Sequence, residues 1–174
     1  SWVSYDSHPY VLLKYHGALS DVFTLAHEMG HAIHSYYSHK NQPYVYAGYH
    51  IFVAEVASIC NEMLLVQYLI GKAKDAEEKK YLINYLLEQF RTTLYRQTMF
   101  AEFEVKAHGL KAEGQTLTAQ QLCEIYYELN RQYFGPNVVI DKEIAMEWSR
   151  IPHFYTPFYV YQYATGFAAA IAIS

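Results

Sequence analysis

The pentapeptide HEMGH at residues 27–31 lies inside the stretch DVFTLAHEMGHAIHSYYS (residues 21–38), whose apolar residues recur at helical spacing. On a helix, His27 and His31 share one face about 6 Å apart along the axis, so both imidazoles can reach one metal ion. Glu28 then stands beside the position where such an ion holds water. The stretch therefore predicts a helix over residues 21–37 and a zinc site of the HExxH type found in peptidases.

Most of the remaining pattern is also helical. An exception is the short apolar run YVLLKY (residues 10–15), which precedes His16-Gly17 and predicts a strand. Ser20 and Asp21 are the candidate N-caps of the HEMGH helix. Further helices are predicted over residues 50–70, 75–108 with Gly109 as its stop, 116–134 or 118–134, 141–148 and 158–174.

These elements predict a mainly α fold, a multi-helix zincin-like catalytic domain with a short N-terminal β-strand or hairpin. Residues 1–18 would form the β element and residues 19–174 the helical part of one domain. The chain has 174 residues, of which 52% are hydrophobic, and this suffices for one packed core.

Charge and composition argue against several classes of partner. The net charge is -4 and the basic residues are scattered, so neither nucleic acid nor an anionic membrane is expected as the main partner. The apolar run at residues 168–173 is far shorter than the ~20 residues of a membrane-spanning helix, and no signal peptide is recognised. Cys60 and Cys123 show no metal-binding spacing and are expected to be buried thiols rather than a disulfide.

Both ends of the chain suggest a fragment of a longer protein. The sequence starts at Ser1 without Met, and it stops at Ser174 within an apolar helical pattern that has no cap. We therefore expect one catalytic-domain fragment of a longer peptidase.

A catalytic zinc site needs a third protein ligand and an open position. His34 lies on the same helix face as the motif but about 10 Å along the axis from His27, too far for a shared ion. The metzincin pattern needs Gly and His where this chain has His34 and Tyr37, so that class is excluded. Glu55 and Glu62 remain as candidates on one face of an otherwise apolar helix, and spacing does not choose between them.

Four stretches together resemble oligoendopeptidase F, a bacterial group of the thimet-oligopeptidase-like zinc peptidases. They are HPYVLL (8–13), DVFTLAHEMGHAIHSYYS (21–38), NQPYVYAGYHIFVAEVASICNE (41–62) and RIPHFYTPFYVYQYATGF (150–167). The resemblance extends over nearly the whole of this chain. It corresponds to only the C-terminal catalytic part of the proteins in that family.

The resemblance implies a set of roles around one Zn²⁺ ion. The family's zinc ligands fall on His27, His31 and Glu55, and its general base falls on Glu28. Glu62 then becomes a candidate for an outer carboxylate that orients a ligating histidine through its other ring nitrogen.

The segment around residues 150–167 would supply substrate contacts. Related zinc peptidases place a substrate-binding His and a transition-state Tyr here, which the resemblance maps onto His153 and Tyr163. Tyr155 and Tyr159 are close alternatives and further candidates for substrate binding. The loop tyrosines at positions 44, 46 and 49 are weaker candidates for lining a peptide groove.

The resemblance implies a zinc endopeptidase that cleaves oligopeptides in the bacterial cytoplasm, within a channel whose other wall belongs to the missing N-terminal part of the protein. We expect the isolated chain to have weak activity or none. Two alternatives remain open: a catalytically silent peptide-binding module stabilised by zinc, and a carboxydipeptidase of the angiotensin-converting type.

Overall fold

The computed structural model describes residues 1–174. Its six α-helices are α1 Leu19–Asn41, α2 Ile51–Lys72, α3 Ala76–Gln89, α4 Arg96–Ala112, α5 Ala119–Phe134 and α6 Tyr161–Ile173. Shorter helical segments are the 3-10 turns Tyr44–Tyr46, Lys142–Arg150 and Pro152–Tyr155 and the π-helical turn Phe90–Tyr95. The prediction of a mainly α fold is confirmed.

The helices fall into two compact units. The first comprises residues 1–89 and 165–174 and contains α1, α2, α3 and most of α6. The second comprises residues 90–164 and contains α4 and α5. The predicted metal ligands lie in the first unit, and the segment from His153 to Tyr163 lies in the second. That the whole chain is one catalytic domain stays a prediction.

The predicted N-terminal β-strand or hairpin is wrong. In place of a strand over residues 10–15 there is one antiparallel bridge, in which the N–H groups of Trp2 and Tyr10 donate to each other's carbonyl at 2.9 and 2.8 Å. A strand needs a neighbour that satisfies its peptide groups along its length. No strand lies beside residues 11–15, and Leu12 is 95% exposed.

α1 begins two residues before the predicted start, and its first turn is held differently. Asp21 does not cap the helix but lies within its first turn, where its carboxylate accepts the N–H groups of Ala18 and His16 at 2.9 and 2.8 Å. These bonds lower the pKa of Asp21. A carboxylate in this position also interacts favourably with the positive end of the helix.

Helices α1 and α2 approach each other closely at Gly30, inside the HEMGH motif. A Cβ on Gly30 would lie 2.6 Å from Ser58 Cα and 3.0 Å from the Ala57 carbonyl oxygen. The side chain of Asn61 adds a hydrogen bond across the helix pair, donating to the Ala26 carbonyl at 2.6 Å. Sequence analysis did not single out Gly30 or Asn61, because one glycine inside a helical pattern does not reveal a close approach to another helix.

Gly30→Ala is expected to lower the free energy of unfolding by about 1–3 kcal/mol, because the added methyl group has to push two backbones apart. The same displacement should weaken the zinc binding that the HEMGH motif predicts. Gly166→Ala in α6 is the matched control, since a Cβ there would meet Phe52 O and Val56 Cγ2 at an ordinary 3.7 Å. Thermal unfolding and competition with a chelator measure the two effects. Wild-type stability and zinc affinity in Gly30→Ala would contradict the prediction.

The predicted long helix over residues 75–108 differs from the structure at two points. Residues 76–112 are helical, but Phe90–Tyr95 form a π-helical turn between α3 and α4. Gly109 lies inside α4, where a glycine costs only about 1 kcal/mol. The chain instead leaves the helix just before Gly114, whose φ of +84° requires the left-handed region.

The second unit packs around an aromatic core. Its buried members come from α4, α5 and the segments after them: Met99, Phe100, Phe103, Tyr126, Leu129, Ile151 and Val160. α5 matches its predicted bounds, because Thr118 accepts the N–H of Gln121 at one end and Gly135 turns the chain at the other with a φ of +75°. α6 begins at Tyr161, three residues after the predicted start.

By length and composition alone α2 could cross a membrane, whereas sequence analysis recognised no membrane-spanning helix. It nevertheless carries Glu55 and Glu62 and packs against α1 at Gly30. Cys60 of α2 and Cys123 of α5 are free and only partly buried, so the expected full burial of these thiols is not observed.

Candidate active site

The HEMGH motif and α2 bring three metal-ligating side chains together. Ligand atoms of His27, His31 and Glu55 all lie within 4.8 Å of one another. Glu55 carboxylate oxygens lie 3.6 Å from His27 Nε2 and 3.9 Å from His31 Nε2. The two imidazole rings stand edge to face with centroids 4.7 Å apart. The three side chains thus converge on one point between the helices.

Glu62 lies on the side of the His27 ring opposite to Glu55. Its Oε1 is 2.6 Å from His27 Nδ1, so an Nδ1–H that donates to the carboxylate leaves the lone pair of Nε2 free to bind a metal ion. Burial lowers the pKa of His27, but the bond to Glu62 and the negative charges of Glu62, Glu55 and Glu28 together outweigh this, and the pKa is raised. The pKa of His31 is lowered by burial and by the neighbouring His27.

The donor set suits a zinc ion. Two imidazole nitrogens and one carboxylate, with a fourth position left open, are the ligands of many catalytic zinc sites. The hydrogen bond from His27 to a carboxylate is the arrangement that fixes the orientation of ligating histidines. The chemistry and spacing of these side chains therefore fit the metal.

Glu28 is the remaining ionisable side chain of the motif. Its carboxylate is partly exposed, at 23%, and it directly follows the metal-ligating His27 in α1.

His34 does not join the metal-ligating group. Its ring stacks on Tyr49 with centroids 4.0 Å apart, its Nδ1 is buried without a hydrogen-bond partner, and burial lowers its pKa. Tyr49 also hydrogen-bonds to Ser35, whereas Tyr44 and Tyr46 are largely exposed. Of the loop tyrosines, Tyr49 thus packs on α1.

In the second unit, three of the predicted substrate-contacting side chains pack on one another. The His153 ring stacks on Tyr159 with centroids 5.8 Å apart, and Tyr163 meets both edge-on at 6.0 and 5.6 Å. The Tyr163 hydroxyl donates to the Tyr159 hydroxyl at 3.4 Å. We call His153, Tyr159 and Tyr163 the ring cluster. Tyr155 is 83% exposed and lies outside it.

Comparison with known proteins identifies the family of the chain. The model of peptidase family M3 matches residues 4–174. Oligopeptidase PepF of Bacillus subtilis (strain 168) is 54% identical over 171 residues, which cover 98% of this chain and 26% of that protein. The chromosomal oligoendopeptidase F of Lactococcus lactis subsp. cremoris is 50% identical over 171 residues, covering 98% of this chain and 28% of that protein.

A solved structure shares the fold. The crystal structure of oligoendopeptidase-F from Enterococcus faecium matches with a TM-score of 0.77 and 46% identity, over 89% of this chain and 28% of that one. The chain therefore spans about a quarter of the length of the curated relatives it matches.

Proposed function

The chain belongs to peptidase family M3, and from this premise we propose that it forms the catalytic part of a zinc-dependent endopeptidase that hydrolyses short peptides. The convergence of His27, His31 and Glu55 within 4.8 Å is the observation that supports this proposal most strongly. The names of the relatives add the preference for oligopeptides and for cleavage within the peptide.

In this proposal His27, His31 and Glu55 hold one zinc ion, and Glu62 keeps His27 in the tautomer and orientation that a ligand needs. When bound, zinc supplies Lewis-acid activation of water and of the scissile carbonyl. The neutral form of a histidine is the one that binds a metal.

Glu28 is the general base. As water attacks the peptide carbonyl carbon, the Glu28 carboxylate takes one of its protons, and the C–O bond forms while the carbonyl becomes an oxyanion. The carboxyl group then gives this proton to the leaving amine as the C–N bond breaks. Its position next to His27 in the motif and its partial exposure support this role.

The ring cluster supplies neutral hydrogen-bond donors to the substrate. Tyr163 is the proposed donor to the oxyanion, and His153 the proposed donor to a substrate carbonyl. Tyr159 and Tyr155 would contribute flat apolar area and hydroxyl groups for binding the peptide. The mutual packing of three of these rings supports a shared role.

The preference for short peptides requires an enclosed site. We propose that protein chain corresponding to the rest of the relatives' length forms the other wall of the substrate channel, since this chain covers only 26% and 28% of them. The isolated chain would then bind zinc but turn over peptides weakly or not at all. A location in the bacterial cytoplasm, where short peptides are degraded, is part of the proposal.

Zinc content and peptide cleavage test the proposed function. Elemental analysis is expected to give one zinc ion per chain, and a form with the full length of the relatives (the full-length form) should cleave a quenched fluorogenic peptide. Chelation should abolish cleavage and added zinc restore it. A peptide blocked at both ends should still be cut internally, whereas a carboxydipeptidase would leave it intact. Stoichiometric zinc with no cleavage of any peptide would instead favour the silent binding module.

A further inference from the structure

A strained turn at Phe158 divides the segment that carries the ring cluster. The φ of Phe158 is +56°, a left-handed conformation that bulky residues rarely adopt. His153 precedes this turn, and Tyr159 and Tyr163 follow it. Because strained backbone persists only where the surrounding structure holds it in place, contacts from outside the turn have to stabilise it.

Glu104 of α4 makes such a contact. Its Oε1 accepts the Phe158 N–H at 2.8 Å, and the residue as a whole is only 3% exposed. Its Oε2 is buried without any hydrogen-bond partner. Burial raises the pKa of this carboxyl, and the bond to Phe158 opposes the increase. A buried carboxyl with one hydrogen bond is less favourable for the core than an apolar side chain of similar size.

His108 contacts the same turn one helical turn further along α4. Its ring packs against the Phe158 ring with centroids 4.8 Å apart. Since residues four apart share one helix face, Glu104 and His108 contact the backbone and the side chain of Phe158 from the same face.

Phe154 fixes the other end of the turn. Its ring lies in the core of the second unit, 5.4 Å from the Phe100 ring and 5.2 Å from the Phe103 ring. His153 is the neighbour of this anchor, and Tyr159 is the neighbour of Phe158. The stacking of His153 on Tyr159 therefore requires that both anchored residues keep their places.

We propose that Glu104 is a positioning residue, which through the N–H of Phe158 sets the placement of the ring cluster for peptide binding and hydrolysis. Its carboxyl touches no reacting atom in this role. The inference rests on the proposed function only in that the ring cluster acts on the substrate. The hydrogen bond from the Phe158 N–H to Glu104 does not depend on the proposed function.

The test compares three variants of Glu104 with a control on the same helix. Glu104→Leu removes the hydrogen-bond acceptor. Glu104→Asp shortens the side chain, so that its carboxylate no longer reaches the Phe158 N–H. Glu104→Gln keeps the side-chain length and one acceptor oxygen. Glu102→Leu is the control, because Glu102 bonds Tyr133 and Lys106 instead of the turn. Hydrogen–deuterium exchange follows the amides of residues 158–160, and the full-length form gives kcat and KM on the fluorogenic peptide.

Glu104→Leu and Glu104→Asp are expected to speed exchange at the turn about tenfold or more and to lower kcat/KM by about 10- to 100-fold, with both kcat and KM affected. Glu104→Gln should stay near wild type in both measurements, and zinc content should not change in any variant. Glu102→Leu is expected to lower Tm only. If Glu104→Leu does not fold, Glu104→Asp makes the same comparison.

Wild-type exchange and kinetics in Glu104→Asp would overturn the inference, and so would a loss in Glu104→Gln as large as in the shortened variant. Faster exchange without a change in kcat/KM would overturn the role of Glu104 in positioning for substrate. Failure of the proposed function is a separate outcome: the wild-type full-length form would cleave no peptide, while exchange at residues 158–160 would still respond to Glu104→Asp. Full activity in His153→Gln and Tyr163→Phe would exclude only the role of the ring cluster in hydrolysis.

Discussion

Glu28→Gln is expected to lower kcat for peptide hydrolysis by about 10²- to 10⁴-fold in the full-length form, the range that loss of a general base produces. The amide keeps the size of the side chain but cannot take a proton from the attacking water. Zinc binding should be unchanged, since His27, His31 and Glu55 lie together without Glu28. Hydrolysis of the fluorogenic peptide and elemental analysis measure the two properties on the same sample.

The retained zinc is what separates this result from general damage to the site. Gly166→Ala is a suitable control, because its added methyl group lies near Glu55 Cβ at 3.9 Å and yet meets only ordinary contacts. It should keep both zinc and activity. A Glu28→Gln protein that hydrolyses peptides at the wild-type rate would exclude Glu28 as the base.

The second large effect concerns the two carboxylates of α2. Glu62→Gln is expected to lower zinc affinity by about 10- to 100-fold, as loss of a carboxylate behind a ligating histidine does. Glu55→Gln should lower the affinity by more than this, because it removes a charged ligand and leaves two of three. Competition with chelators of graded strength gives both dissociation constants.

The test depends on which of the two variants loses more zinc affinity, and less on the size of either loss. Both residues are glutamates on one face of α2, so each variant removes one negative charge and changes the helix propensity by the same amount. Each variant is therefore the matched control for the other. Equal losses, or a larger loss for Glu62→Gln, would contradict the assignment of Glu55 as the ligand.

Sequence reasoning succeeded where the deciding interactions are local. The helix of HEMGH and the capped helix after Thr118 follow from periodicity and from side chains within a few residues of the helix ends. The predicted strand at residues 10–15 failed because strands depend on a partner elsewhere in the chain. The π-helical turn after Gln89 has no signal that we recognise in the local pattern.

The site shows the same division. The sequence by itself determined that His27 and His31 lie on one helix face, because four residues make nearly one turn. Spacing limited the acidic partner to Glu55 or Glu62, and the family resemblance indicated Glu55 as the ligand. Only the tertiary structure placed Glu55 beside both Nε2 atoms and Glu62 at Nδ1 of His27. Helical periodicity places Glu55 and Glu62 on one face of α2, because they lie seven residues apart. Which of the two carboxylates lies near Nε2 of His27 and which lies near Nδ1 depends on how α2 packs against α1 at Gly30.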